Sequence, residues 1–176
     1  MDGAGRTICI RKAGMEDLPL IHNMAEVVFR HTYRDILSGE QMEYMMDWMY
    51  SLPNLERQLK DGHSYYVADI DGEPAGYVSI QGPETPGGSP QLFHLQKIYV
   101  MPGMQGQGLG LLLLEKAKEH VRSLAGGAPC RIELNVNRGN KAVGFYERMG
   151  FRILRQGDFP IGGGFYMNDY IMGLDI

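Results

Sequence analysis

The residues with the clearest chemical use lie in the turn Gln105-Gly106-Gln107-Gly108-Leu109-Gly110. The apolar run 95–100 before the turn is typical of a strand, and apolar residues after it recur at helical spacing as far as Leu124. The first N–H groups of a helix have no partner within it, and the helix dipole places partial positive charge there. Glycines let the backbone approach a bulky anion closely. A strand, a glycine turn and a helix in this order therefore indicate a site for phosphate or pyrophosphate.

Two common phosphate motifs do not fit this turn. A P-loop needs GxxxxGK followed by Ser or Thr, and the sequence contains none. A dinucleotide fingerprint needs GxGxxG, but its third glycine position is occupied here by Leu111. A tight turn that binds nothing is the alternative interpretation.

Composition and charge exclude several classes of protein. The chain has 176 residues, of which 44% are hydrophobic and 22% charged, so we expect a single globular domain spanning 1–176. A net charge of −4 argues against a nucleic-acid partner, which would favour a basic face. No apolar run approaches the roughly 18 residues of a membrane span, so we expect no membrane partner.

The termini, cysteines and histidines give further expectations. The start, residues 1–6, lacks the apolar region of a signal peptide, which predicts a cytoplasmic protein. Cys9 and Cys130 are far apart and are expected to be reduced and buried. No HxxxH or CxxC pattern occurs, so we expect no metal site.

The elements that must position the turn follow from hydrophobic periodicity. Helical spacing predicts helices over 17–34, after Ser38, over 54–61 and over 109–124. Alternation and turn signals predict strands at 7–11, 64–69, 73–81, 95–100, 131–136, 151–155 and 165–173, with 82–90 as a loop. Strands with intervening helices imply an α/β fold in which helices cover the faces of a mixed sheet.

The helix after Ser38 carries a methionine stripe. Ser38 is suited to cap this helix, with Gln41 as its capping-box partner. The stripe consists of Met42, Met45, Met46 and Met49, with Trp48 nearby. Adaptable core packing is the favoured interpretation, and a flexible wall over a substrate pocket is the alternative.

Two segments carry a resemblance to a known family. Gln105-x-x-Gly108-x-Gly110, directly after a Tyr-Val-x-Pro strand end, resembles the pyrophosphate-binding motif of the GCN5-related N-acetyltransferase (GNAT) superfamily. That motif is usually Gln or Arg, two residues, Gly, any residue, and Gly or Ala. The segment 140–151 resembles the second signature of the superfamily, a short helix followed by Gly-Phe. Two motifs in the right order, about thirty residues apart, are much more specific than either alone.

The resemblance implies a fold and a co-substrate. The GNAT fold is α/β (α+β): a mixed, mostly antiparallel twisted sheet of about seven strands, with about four helices on its faces and splayed fourth and fifth strands. By resemblance, those two strands are 92–100 and 131–136, and the pantetheine arm of acetyl-CoA would pair with one exposed edge. The implied acetyl-CoA-binding residues are Ile98, Tyr99, Val100, Gln105, Gly106, Gln107, Gly108, Leu109, Gly110, Asn140 and Phe145. Asn140 is equally suited to cap the helix that follows, and Phe145 to pack in the core.

The resemblance also implies catalytic residues. Tyr146 occupies a position where many members place a tyrosine near the sulfur. A phenol with a pKa of about 10 can protonate a thiolate, so Tyr146 is the predicted general acid. A half-buried core tyrosine is the alternative. His94 stands where many relatives carry a glutamate, and is a candidate base; a water relay, bulk solvent and a surface histidine are the alternatives.

The acceptor is expected to be the primary amine of a small molecule. Tyr33, Gln41 and the tail 159–172 resemble the PaiA-like branch, whose members are linked with spermine and spermidine acetylation, so a polyamine-like acceptor is the first choice. Tyr33 and Trp48 are the candidate pocket residues. The acidic residues Asp35, Glu40, Glu43 and Asp47 would attract a polycation or simply form a solvated helix face.

Other functions stay open at this point. One is an acetyltransferase that acts on N-terminal peptides or proteins, and another is a non-catalytic acyl-CoA sensor. A nucleotide-binding protein is a further alternative, although its motifs are absent. We expect a monomer or a homodimer.

Overall fold

One mixed sheet with helices on both faces forms the protein in a computed structural model, which describes residues 6–84 and 88–176. The strands are β1 (Ile8–Lys12), β2 (His63–Ile70), β3 (Glu73–Gln81), β4 (Gln91–Val100), β5 (Cys130–Asn137), β6 (Arg152–Gly162) and β7 (Phe165–Asp175). The helices are α1 (Leu18–Tyr33), α2 (Gly39–Tyr50), α3 (Leu52–Lys60), α4 (Leu109–Ala125) and α5 (Ala142–Arg148), and a short 3₁₀ turn, Met15–Asp17, precedes α1.

The fold class predicted from the sequence is confirmed. Within the described ranges the sheet has seven strands in the order β1-β2-β3-β4-β5-β7-β6, and only β4 and β5 run parallel. The same ranges contain five α-helices, where the resemblance implied about four, and the short α3 and α5 are both helices that the sequence predicted. The Ser51 hydroxyl accepts a hydrogen bond from Asn54 N at 3.4 Å, and the Asn140 side chain accepts one from Ala142 N at 2.8 Å.

The fourth and fifth strands separate in the middle of the sheet. They pair from Gln91 opposite Cys130 to Leu95 opposite Leu134. Beyond that point β4 pairs with β3 and β5 pairs with β7. Among the described residues, no strand covers the β5-facing edge of β4 after Leu95. This V-shaped opening is the predicted splay.

A bulge at Gln96 changes which side of the sheet β4 faces. Leu95 pairs with Ile80 and Lys97 pairs with Ser79, so Gln96 is the extra residue. Before the bulge, Phe93 and Leu95 belong to the core beneath α4. Simple alternation would place Lys97 on that face too. Instead, Lys97 lies over the rings of Tyr50 and Tyr65, on the face covered by α1–α3.

Each face of the sheet has its own core. The core under α4 contains its apolar stripe, which repeats every three or four residues through Leu109, Leu113, Ala117 and Val121. The other core lies under α1–α3 and includes Met42, Met45 and Met46, all buried. Core packing is therefore confirmed for most of the methionine stripe.

Several local expectations have clear outcomes. The Ser38 hydroxyl accepts a hydrogen bond from Gln41 N at 3.1 Å, but the reciprocal capping-box contact is not made because Gln41 Nε2 donates to Tyr166 O at 2.7 Å. Cys130 is buried as expected, whereas Cys9 is exposed because β1 is an edge strand. β6 extends seven residues beyond the predicted end at 155, because it pairs with β7 as far as Gly162.

Some expectations concern residues outside those described. The signal-peptide argument rests mainly on residues 1–5, and the predicted loop 82–90 includes residues 85–87; neither stretch is among the described residues. Along the rest of the chain, every helix is too short or too polar to cross a bilayer.

Candidate active site

The glycine turn forms an open cradle at the start of α4. Gly106 and Gly108 have positive φ values of 80° and 76°, a conformation in which other residues are strained. A Cβ at either position would meet no atom within 4 Å, so the space in front of the turn is free. The helical ladder begins with Leu112 N donating to Gly108 O at 3.2 Å, which leaves the N–H groups of Leu109, Gly110 and Leu111 without helical partners. This arrangement suits the pyrophosphate of a coenzyme.

Neighbouring side chains fix the cradle in place. Gln105 Nε2 contacts Val100 O at 3.5 Å, which ties the turn to the end of β4. Phe145 packs against Gly110, since a Cβ on that glycine would lie 3.5 Å from the ring. Arg6 Nη1 donates to Gln107 Oε1 at 2.7 Å, and this adds a cation at the edge of the turn that sequence analysis did not identify.

A cavity of about 410 Å³ lies on the opposite face of the sheet. Its walls come from α1, α2, α3 and the strands β2, β4, β5 and β7. The predicted pocket residues Tyr33 and Trp48 both line it, as do His94 and Tyr99. The cavity and the splay therefore share β4. The C-terminal end of this strand leads into the glycine turn.

The β6–β7 hairpin closes one side of this cavity. The Tyr44 hydroxyl of α2 donates to Ile161 O at 2.8 Å, and Gln41 binds Tyr166 O as described above. The hairpin tip approaches Tyr44 so closely that a Cβ at Gly162 would overlap its hydroxyl. The Tyr44 ring also packs on Phe165 with centroids 5.2 Å apart. α2 and the hairpin thus form one continuous wall.

A pair of tyrosines connects the cavity with the second motif. The hydroxyls of Tyr33 and Tyr99 lie 3.5 Å apart, and Asn140 Nδ2 donates to the Tyr33 hydroxyl at 3.3 Å. Because Asn140 Oδ1 also accepts a hydrogen bond from Ala142 N, both polar atoms of this side chain are used within the protein. Asn140 therefore stabilises the start of α5 from the position before the N-cap residue, Lys141, and its contact with a coenzyme stays a prediction.

Most of the sequence, including most of the segments that form this site, matches a known protein family. The model of the acetyltransferase (GNAT) family matches residues 28–151, which include the splay, the glycine turn and α5. The chain belongs to the GNAT family. The match covers both motifs on which the sequence prediction was based.

Relatives within the GNAT family include proteins of more than one kind. The chain is 35% identical over 88 residues to the peptidyl-lysine N-acetyltransferase YjaB of Salmonella typhimurium, covering 49% of this chain and 48% of that protein. It is 32% identical over 114 residues to the uncharacterized N-acetyltransferase YjgM of Escherichia coli, covering 62% and 64%. The chain thus spans about half to two thirds of the length of these curated relatives.

A solved GNAT structure matches almost the entire chain. It is the PaiA N-acetyltransferase from Thermoplasma acidophilum in complex with coenzyme A, with a TM-score of 0.74 and 25% identity. The match covers 97% of this chain and 99% of that one. The predicted GNAT architecture is therefore confirmed by structure as well as by sequence.

The two predicted catalytic residues lie on opposite sides of this GNAT sheet. Tyr146 lies on α5 in the core beneath α4, between the rings of Phe145 and Phe151. Its hydroxyl makes no hydrogen bond with any described residue, and burial raises its pKa above the usual 10. The group therefore keeps its proton at neutral pH. His94 instead lines the acceptor cavity, so the structure does not bring the two residues together.

His94 has the protonation state that a base requires. Burial lowers its pKa below 6.5, although Glu84 and Glu133 oppose the shift. The imidazole is therefore neutral near pH 7 and has a free electron pair. It is half-buried and faces the cavity from the paired segment of β4, just before the splay.

Two buried charged residues of the cavity were missed by sequence analysis. Lys97 and Asp169 are only 6% and 1% exposed, and both line the cavity. Burial lowers the pKa of Lys97 to about 7 and raises that of Asp169. The sequence offered one weak signal, a lysine within the apolar run 95–100, but the bulge that turns it into the cavity was not apparent.

Proposed function

We propose that this protein transfers an acetyl group from acetyl-CoA to the primary amine of a small molecule. The observation that supports this most strongly is the position of the splay. It lies between an open glycine cradle at one end of β4 and a cavity on the other face. A coenzyme held at the cradle can reach through the opening and present its thioester to an amine in the cavity.

The glycine cradle and the open strand edge fit the coenzyme. The N–H groups at the start of α4, with Gly106 and Gly108 in front, would bind the pyrophosphate. The uncovered edge of β4 at Ile98, Tyr99 and Val100 would pair with the amides of the pantetheine arm. The bound thioester supplies the acyl carbon: the amine nitrogen forms a bond to it, the C–S bond breaks, and its electron pair leaves on sulfur.

The chain provides groups for both proton transfers. The amine must lose one proton, and His94, neutral and facing the cavity, would accept it directly or through a water. The thiolate must gain one proton, and the Tyr146 hydroxyl would donate it from the other face. The products are then an N-acetylated amine and free coenzyme.

A polyamine acceptor receives less support from the geometry. The resemblance to the PaiA-like branch and the Thermoplasma PaiA structure favour it. However, the acidic residues Asp35, Glu40, Glu43 and Asp47 are exposed and do not line the cavity. Glu43 is also ion-paired with Arg30. The cavity itself is lined by two acidic residues, Asp61 and Asp169, and two basic ones, Arg57 and Lys97, so it has no excess of negative charge to attract a polycation.

A peptidyl lysine is the second candidate acceptor, because the relative YjaB carries that activity in its name. A lysine side chain would enter the cavity while its backbone stayed outside. The enclosing wall formed by α2 and the hairpin favours a free small molecule over a flat peptide surface.

An acceptor screen with acetyl-CoA tests the proposal. Release of free thiol is measured with small monoamines, amino acids, diamines, polyamines and lysine peptides, each against a sample without acceptor. Release with a small amine and a mass increase corresponding to one acetyl group are expected. Binding of acetyl-CoA without thiol release from any amine would favour the sensor, and turnover of peptides alone would favour the second candidate.

A further inference from the structure

The acceptor cavity contains two buried charges of opposite sign that are not paired with each other. Lys97 lies on β4 and Asp169 on β7. Neither forms an ion pair with any residue in the described ranges. Burial of an unpaired charge is costly and shifts the pKa of each group towards its neutral form; a ligand with the opposite charges would stabilise the charged forms of both residues.

The partners of Lys97 are all neutral. Its Nζ donates to the Tyr65 hydroxyl at 2.5 Å and to Gln58 Oε1 at 2.9 Å. It also lies 4.4 Å from the centroid of the Tyr50 ring. An ammonium has three N–H groups, so these two hydrogen bonds leave one N–H without a hydrogen-bond acceptor among the described residues, although Nζ also lies over the faces of the Tyr50 and Tyr65 rings. This donor belongs to a residue that lines the cavity.

The surroundings of Asp169 leave room for a cation. Its Oδ2 accepts a single hydrogen bond from Asn135 Nδ2 at 3.3 Å. The guanidinium of Arg138 donates to Asp158 Oδ1 at 2.7 Å, to Gly157 O at 3.0 Å and to the backbone oxygen of Asp169 at 3.4 Å, but it forms no ion pair with the Asp169 carboxylate. The carboxylate therefore has free acceptor positions next to the splay.

Sheet geometry sets the separation between the two charges. β5 lies between β4 and β7, and β4 and β5 are no longer paired beyond Leu95, so Lys97 and Asp169 start from strands more than two spacings, or about 10 Å, apart. The Lys97 side chain points further away, because its partner Tyr65 is on β2. One carbon atom cannot carry groups that reach both residues.

We propose that the acceptor is a zwitterion with its amine and a carboxylate at opposite ends, such as an ω-amino acid or a short peptide of similar length. Asp169 binds the ammonium at the splay, and Lys97 binds the carboxylate at the far end of the cavity. This proposal rests on the proposed acetyl transfer and specifies its substrate class. A diamine would place a second cation beside Lys97, and an alkylamine without a carboxylate would leave Lys97 unpaired.

Four amines that differ in net charge or in the spacing of their charged groups test the proposal in the acetyl-transfer assay. They are 6-aminohexanoate, hexylamine, 1,6-diaminohexane and alanine. We expect kcat/KM for 6-aminohexanoate to exceed that for hexylamine by about tenfold or more, which is typical for a hydrogen bond to a charged group. The diamine and alanine should be poorer still. A preference for the diamine or for hexylamine would overturn the proposal.

Substitutions of Lys97 and Asp169 test whether these residues cause the preference for 6-aminohexanoate over hexylamine. Lys97→Met keeps the volume of the side chain and removes its charge, and should reduce the preference for 6-aminohexanoate over hexylamine at least tenfold. Lys60→Met is the matched control: Lys60 is exposed on α3 and paired with Glu56 at 3.0 Å, so the preference should not change. Asp169→Asn should raise KM for 6-aminohexanoate. If the preference survives Lys97→Met, Lys97 is not the carboxylate ligand.

A binding measurement separates this proposal from the proposed function. Titration of the protein with 6-aminohexanoate in the presence of coenzyme A reports binding without turnover. Binding that Lys97→Met abolishes, together with no thiol release from any amine, would support the inference and contradict acetyl transfer. No binding of 6-aminohexanoate, together with turnover of other amines, would overturn the inference alone.

Discussion

The Tyr33 hydroxyl accepts a hydrogen bond from Asn140 Nδ2 at 3.3 Å, which joins a wall of the acceptor cavity to the start of α5. Tyr33 comes from the end of α1, and Asn140 begins the segment 140–151 that resembles the second GNAT motif. The Tyr99 hydroxyl lies 3.5 Å from the Tyr33 hydroxyl, so the Tyr33 hydroxyl lies beside the splay. Acceptor and coenzyme are therefore expected to meet around this trio.

Tyr33→Phe should weaken acceptor binding. The substitution removes the oxygen that holds Asn140 and Tyr99 in place, so KM for the acceptor should rise several-fold, and stability should fall by about 1 kcal/mol, as for one hydrogen bond. Steady-state kinetics and urea unfolding measure the two effects. Tyr66→Phe is the control, since the Tyr66 hydroxyl bonds His120 Nδ1 at 2.8 Å outside the cavity. Equal changes in KM for the two variants would show that the Tyr33 hydroxyl does not contribute specifically to acceptor binding.

Gly108→Ala should weaken the binding of acetyl-CoA. Gly108 has a φ of 76°, which costs a residue with a Cβ roughly 1–2 kcal/mol, and relief of that strain would move the N–H groups of the cradle. Calorimetry should show a higher Kd for acetyl-CoA. Gly126→Ala is a matched control because Gly126 has a φ of 60° at the other end of the same helix. Both variants should lose stability, and only Gly108→Ala should lose affinity; an unchanged Kd for it would argue against the cradle.

Tyr146→Phe should slow the chemical step. If Tyr146 donates the proton to the leaving sulfur, its loss should lower turnover by roughly 10²–10⁴-fold, as for a general acid. Rapid-quench measurement of a single turnover isolates this step from product release. A Phe variant that acetylates as fast as the wild type under these conditions would rule the role out and leave Tyr146 as a packing residue between Phe145 and Phe151.

The buried Lys97 should make stability depend on pH. Burial lowers its pKa from 10.5 to about 7 in the folded protein, so the unfolded chain binds more protons between these values. Stability relative to Lys97→Met should therefore rise with pH from about 7 to 10.5 and be lost as the pH falls through that window, with a slope approaching about 1.4 kcal/mol per pH unit. Urea unfolding of both proteins at a series of pH values measures the difference. Parallel curves would mean that the Lys97 ammonium is fully solvated.

The sequence predicted the fold and the coenzyme side of the site better than the acceptor side. The strand, the glycine turn and α4 are contiguous, so Gly106 and Gly108 could be assigned from local rules alone. The acceptor cavity is assembled from segments as distant as Tyr33 and Asp169. Lys97 was missed because the single bulge at Gln96 reverses the alternation of β4, and no residue type in that run signals a bulge.

The start of α2 likewise combines a contact that the sequence predicted with one that it did not. Ser38 and its bond to Gln41 N were predictable from neighbouring residues. The side chain of Gln41 was expected to complete the capping box, but it binds Tyr166, which lies 125 positions away. A tertiary contact thus displaced a local one, and it belongs to the wall that encloses the cavity.

A crystal structure of the protein with acetyl-CoA would show whether the glycine turn holds the coenzyme. We expect the pyrophosphate within hydrogen-bond distance of the N–H groups of Leu109 and Gly110, and the pantetheine arm between β4 and β5, with the acetyl group facing the cavity beside Tyr99. A coenzyme bound elsewhere, with the glycine turn empty and the splay closed, would contradict this expectation.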